Sequence, residues 1–157
     1  MYCTPVDDFN NNYRRVYRIT IVNKSIILSG TDKKELPKYA ESEKPYESCA
    51  ILVGNESDVN WTVKKIFLTE NTAKSKVTFT ISPDKEFEVD QIAKESNMEI
   101  VCIFHSHPES EAQPSETDKK FMRVNPFPWI IYSGITGEMN CFILENENVK
   151  QIPITES

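Results

Sequence analysis

Two short apolar runs do most to limit the folds open to this chain. Residues 47–54 read Glu-Ser-Cys-Ala-Ile-Leu-Val-Gly, and residues 99–104 read Glu-Ile-Val-Cys-Ile-Phe. Each is compact, of strand length and nearly free of charge, which marks a buried strand. The first ends at Gly54, and the second is placed as a central strand.

The segments around them alternate between strand and helix signals. Residues 17–28, rich in Ile and Val, predict one or two short strands turning near Asn23 and Lys24. Pro37 predicts the first turn of a short helix running to about Lys44. Residues 62–71 and 76–81 read as two further strands. Ser82-Pro83 then opens a helix, with Ser82 as N-cap and Pro83 at the first helical position. That helix should carry Phe87, Ile92 and Ala93 and end near Asn97. A polar loop over residues 106–114 leads to a helix with Ser115 as N-cap and Asp118 three residues on. Residues 127–132, 140–144 and 149–154 predict three more strands, with Gly134 and Gly137 in the turn between the first two. The sum is a single α/β domain in which two or three helices cover a curved mixed sheet of about six to eight strands. Residues 1–14 are polar and read as an irregular N-terminal segment ahead of a domain spanning 15–157.

Composition narrows the partners. The chain of 157 residues is ordinary in its hydrophobic (39%) and charged (27%) content and carries a net charge of −6. An acidic chain is poorly suited to a phosphate backbone, and the one basic cluster, Arg14, Arg15 and Arg18, lies beside Asp7 and Asp8. Nucleic acid is therefore not expected as a partner. No apolar run approaches a membrane span, and the N-terminus lacks the basic and apolar regions of a signal peptide. The cysteines form no Cys-x-x-Cys pair, and Cys49, Cys102 and Cys141 sit in apolar runs as small buried hydrophobes would. Scattered buried thiols suit a reducing compartment, so a cytoplasmic protein is expected. The Asn-x-Ser/Thr triplets at Asn23, Asn55 and Asn60 are then chance matches.

The chain has only two histidines, both in His105-Ser106-His107. A strand turns alternate side chains to one face, so both imidazoles point the same way and can share one metal ion. Ser115 and Asp118, three apart on the next helix, can face the same place. Alone they would read as a helix cap. Behind a His-x-His-Pro turn they are better explained by a His₂Asp zinc site. Three protein ligands leave a fourth position open, which is the pattern of catalytic zinc. Peptide hydrolysis there also needs a base to move a proton from water to the leaving amine. Glu47, a charged residue opening a buried strand, is the candidate.

His105-Ser-His-Pro followed by Ser115-x-x-Asp118 resembles the JAMM motif of the MPN-domain metalloproteases, and residues 47–54 look like that family's Glu-x-Cys-Gly-Leu-Leu-x-Gly strand. The resemblance covers roughly residues 17–154. It implies a fold similar to cytidine deaminases. It further implies that His105, His107 and Asp118 ligate Zn²⁺, that Glu47 is the general acid/base, and that Ser115 stabilises the oxyanion. Keeping all five residues implies an active enzyme rather than a non-catalytic MPN interaction module. Ala50 stands where the family has Gly, and the segment 119–129 is short, which resembles a compact prokaryotic member. The implied activity is an isopeptidase acting between the C-terminus of a ubiquitin-like modifier and a lysine. The alternative is a peptidase trimming the tail of a ubiquitin-like sulfur carrier. A related DNA-repair-associated group shares the motif but fits the acidic balance less well. A Gly-Gly tail could enter by strand addition, with residues 74–80 as the expected edge strand.

Overall fold

The structure, a computed structural model, describes residues 24–157. The expected irregular segment 1–14 and most of the expected strand region 17–28 lie outside them. The elements run β1 (Ser25–Leu28), α1 (Gly30–Ser42), β2 (Cys49–Glu56), β3 (Asn60–Thr69), α2 (Pro83–Glu95), β4 (Glu99–His107), α3 (Glu116–Val124), β5 (Trp129–Ser133), β6 (Met139–Glu145), β7 (Asn148–Ile152) and β8 (Ile154–Glu156). The α/β expectation holds, with three helices and one mixed sheet among the described residues, in the order β7-β6-β5-β4-β2-β3-β1-β8.

Side-chain alternation divides the core between the two faces of the sheet. Ala50, Leu52, Phe104, Ile130 and Cys141 point to one face, where Leu36 and Ala40 of α1 pack. Ile51, Val53, Ile103, Ile131 and Phe142 point to the other, under Val89 and Ala93 of α2 and Met122 of α3. The alternation slips once in β4. Leu52 pairs with Cys102 and Val53 with Ile100, so Val101 is an extra residue that joins Cys102 on the α1 face.

β7 and β8 are neighbours in sequence but pair at opposite ends of the strand order. Pro153 alone separates them, and its carbonyl accepts from the Ile26 amide of β1 at 3.0 Å. The sheet therefore curls until its two edges meet. The expected single strand 149–154 is thus two, because Pro153 has no N–H for a ladder and ends β7.

Other expectations shift with identifiable causes. α1 begins at Gly30, where the Ser29 side chain accepts from the Asp32 amide at 3.0 Å, so Pro37 sits inside the helix and not in its first turn. β2 does not stop at Gly54. A bulge against β3 brings the Thr62 carbonyl within 1.9 Å of where a Cβ on Gly54 would lie, so only glycine lets the strand pass. In α2, Val89 and Ala93 face the sheet, and Phe87, two residues before Val89, falls on the far side and is 66% exposed. Residues 76–81 form no strand; side-chain bonds hold them instead, as described below. β4 continues through His107, so the expected loop from 106 starts two residues later. Among the described residues, no helix is long and apolar enough to cross a membrane.

Candidate metal centre

β2 runs antiparallel to β4, with Cys49 opposite His105. Two steps further along that register, Glu47 comes to stand opposite His107. The serines between them lock the match: the Ser48 amide donates to Ser106 Oγ at 2.9 Å, and the Ser106 amide to the Ser48 carbonyl at 3.1 Å. On its other side β4 is parallel to β5, and the Gly134 amide donates to the His107 carbonyl at 2.9 Å. α3 forms the crossover between β4 and β5, which sets its N-terminus beside the end of β4.

The five residues singled out in the sequence gather at this end of the sheet. His105 Nε2 lies 3.1 Å from His107 Nε2 and 3.2 Å from Asp118 Oδ1, and His107 Nε2 lies 3.3 Å from Asp118 Oδ2. Glu47 Oε1 is 3.9 Å from His107 Nε2. His105, His107, Asp118 and Glu47 are all buried. Ser115 is the exposed N-cap of α3. Its Oγ accepts from the Asp118 amide at 3.0 Å, and its own amide donates to Asp118 Oδ2 at 2.7 Å, a reciprocal capping box. The hydroxyl hydrogen of Ser115 has no acceptor among the described residues.

The donor chemistry fits a cation. His107 Nδ1 is 2.9 Å from the Glu111 carbonyl, which can only accept. The hydrogen of a neutral ring therefore sits on Nδ1, and Nε2 turns a lone pair toward Asp118 and His105. His105 is fully buried, its Nδ1 lacks a partner among the described residues, and burial holds it below the ordinary histidine range. Two imidazole lone pairs and a carboxylate converging in a buried space suit Zn²⁺. Burial tends to raise the Asp118 carboxyl, but the imidazoles of His105 and His107, which donate to it only when protonated, and the Ser115 amide outweigh it and hold it well below its usual range. Burial likewise tends to lower His107, yet Asp118, the Glu111 carbonyl and Glu47 together raise it. Burial pushes the Glu47 carboxyl up to about 8, with His107 pulling it down and Asp118 adding to the rise.

Residues 33–145 match the family described as prokaryotic homologues of the JAB domain. The chain belongs to that family. Among relatives of this JAB-domain chain, a desampylase of Pyrococcus furiosus is 32% identical over 107 residues, covering 68% of this chain and 73% of the relative. A desampylase of Haloferax volcanii is 27% identical over 81 residues, covering 52% and 58%. The tail tip assembly protein K of Escherichia phage N15 is 31% identical over 102 residues, covering 64% of this chain and 38% of that protein. The chain thus spans less than two thirds of the last two. A solution structure of a protein from Desulfitobacterium hafniense shares the fold with a TM-score of 0.74 at 22% identity, covering 84% of this chain and 94% of that one. One from Salinibacter ruber does so with a TM-score of 0.63 at 20% identity, covering 85% and 91%. The JAMM/MPN resemblance therefore holds, for a compact prokaryotic member.

Four contributors to this JAB-domain site escaped the sequence reading. The Phe79 ring stacks on His105 at 4.7 Å between centroids, and Trp129 meets the same ring edge-on at 5.8 Å. Glu111 acts through its main chain, for which its side chain gives no sign. Gly134 was placed only in a turn, yet a Cβ there would lie 2.5 Å from the Pro108 carbonyl, so glycine is what lets β5 end against the His-bearing strand.

Proposed function

We propose that the chain is a zinc-dependent isopeptidase that hydrolyses the bond between the C-terminus of a ubiquitin-like modifier and a lysine. The buried trio of His105, His107 and Asp118, with the Glu47 carboxyl 3.9 Å from His107, carries the reading. Similarity to two desampylases supports the ubiquitin-like substrate class. His105, His107 and Asp118 would hold zinc, which when bound supplies a Lewis acid for activating water and polarising a carbonyl. Glu47 takes a proton from the attacking water and delivers it to the lysine amine as the C–N bond breaks and a C–O bond forms. The hydroxyl hydrogen of Ser115, which has no acceptor among the described residues, is donated to the substrate carbonyl oxygen as that atom gains negative charge. A cytoplasmic setting belongs to the same proposal, supported by the buried free thiols of Cys49, Cys102 and Cys141.

The test combines metal content with cleavage. The wild type should bind about one zinc per chain, and His107→Ala and Asp118→Ala should lose it. Glu47→Gln should keep zinc but cleave a Gly-Gly tail from a lysine side chain about 10²-fold more slowly, or worse. Full zinc in both ligand variants, or an active Glu47→Gln, would overturn the assignments. Cleavage of linear tail extensions with no isopeptide cleavage would move the protein to the sulfur-carrier alternative.

A further inference from the structure

We infer that Asn71 is a positioning residue for Glu47, holding the base through the main chain; the inference rests on the proposed role of Glu47. Glu47 lies ahead of β2, beyond the paired part of the sheet, yet it is only 4% exposed. Its amide donates to the Ser75 carbonyl at 2.9 Å, and its carbonyl accepts from Asn71 Nδ2 at 3.0 Å. Both partners come from residues 71–81, the stretch that forms no strand.

The Asn71 amide gives that stretch its shape. Nδ2 also donates to the Thr78 carbonyl at 3.0 Å, while Oδ1 accepts from the Ala73 amide at 3.1 Å and the Thr80 amide at 3.0 Å. All four bonding positions of the carboxamide are filled. Main-chain amides can only donate, so Oδ1 must face them, and the orientation of the group is settled by its neighbours. Asn71 is itself 7% exposed, where a lost hydrogen bond is costly. Between the two anchored residues, Thr78 and Thr80, Phe79 stacks on His105. One buried amide thus sets the main chain of the proposed base and the aromatic wall of a proposed ligand. Val77, in the same stretch, is 78% exposed.

No other side chain of this size supplies two donors and two acceptors. Asn71→Asp keeps the shape and both accepting positions but sets a carboxylate oxygen against the carbonyls of Glu47 and Thr78. Asn71→Ala removes all four bonds. Two measurements on the zinc-loaded chain test the inference. Hydrogen exchange, read by mass spectrometry, should quicken at the Glu47 amide in both variants while β4 keeps its protection. With a Gly-Gly-tailed ubiquitin-like protein joined to the lysine of a fluorescent peptide, kcat should fall by about 10²-fold with KM little changed, as expected when a reacting group is misplaced. In the Glu47→Gln background, adding Asn71→Asp should cost nothing further, because both changes disable one group. Unchanged exchange at Glu47, or losses that add in the double variant, would overturn the inference. Should Asn71→Ala fail to fold, Asn71→Asp carries the same expectations. If the wild type cleaves nothing, the isopeptidase reading falls, and the exchange comparison alone decides whether Asn71 holds Glu47.

Discussion

At the scale of the residue, the capping of α3 by Ser115 and the oxyanion role proposed for it draw on different atoms. Its oxygen lone pair caps α3 through the Asp118 amide, while its hydrogen has no acceptor among the described residues. The two can be separated. Ser115→Gly should cost only a few tenths of a kcal/mol, about the usual loss for glycine at an N-cap, and Ser115→Ala should cost about 1 kcal/mol. Both remove the hydroxyl hydrogen, so both should lower kcat by about 10²-fold. Thermal melts alongside kinetics would decide it, and activity that tracks stability alone would leave Ser115 as a cap. The spacing of His105 and His107, and of Ser115 and Asp118, was legible because strand and helix periods are local geometry. Phe79, Glu111 and Asn71 were not legible. Their parts depend on a ring stacked across the chain, a carbonyl, and an amide surrounded by distant main chain.

At the scale of the element, α1 carries a conflict between local and tertiary demands. Pro37 lies seven residues after the first helical position, Gly30. It can donate no hydrogen bond back to the Lys33 carbonyl, and its ring crowds that carbonyl. The helix persists because Leu36 and Ala40 are buried against the sheet and the Ser29 cap secures the start. Pro37→Ala should therefore stabilise the protein by roughly 1–3 kcal/mol, read as a higher urea midpoint. An unchanged or lower midpoint would mean that the half-buried proline ring contributes packing that outweighs the lost bond. Proline's usual place in a first turn was a sound local expectation, and burial of the flanking residues overrode it. Residues 76–81 reversed the other way: a strand-like composition was drawn off the ladder by side-chain bonds to Asn71.

At the scale of the whole molecule, closure of the sheet depends on its last strand. β8 covers β1, which among the described residues is otherwise paired only with β3. Removing residues 154–157 should expose the outer row of β1 amides and carbonyls, lower stability by about 1–3 kcal/mol, and promote edge-to-edge association. Urea denaturation with light scattering checks both effects, and an unchanged midpoint would mean that β8 is not needed for closure. The site lies at the opposite edges' midpoint, on β4, so zinc content should survive the truncation wherever the protein remains folded.

The sequence by itself determined the α/β class, the strands around 47–54 and 99–104, the capped starts of α2 and α3, and the five residues that meet at the end of β4. These follow from apolar runs, capping chemistry and period, which act over a few residues. Only the tertiary structure decided where Glu47 stands relative to His107, because that distance comes from the antiparallel register of β2 on β4 and from bonds across the gap in sequence. It also decided that β7 and β8 part company at Pro153, since the curl that brings the sheet's edges together sums the twist and bulges of every strand.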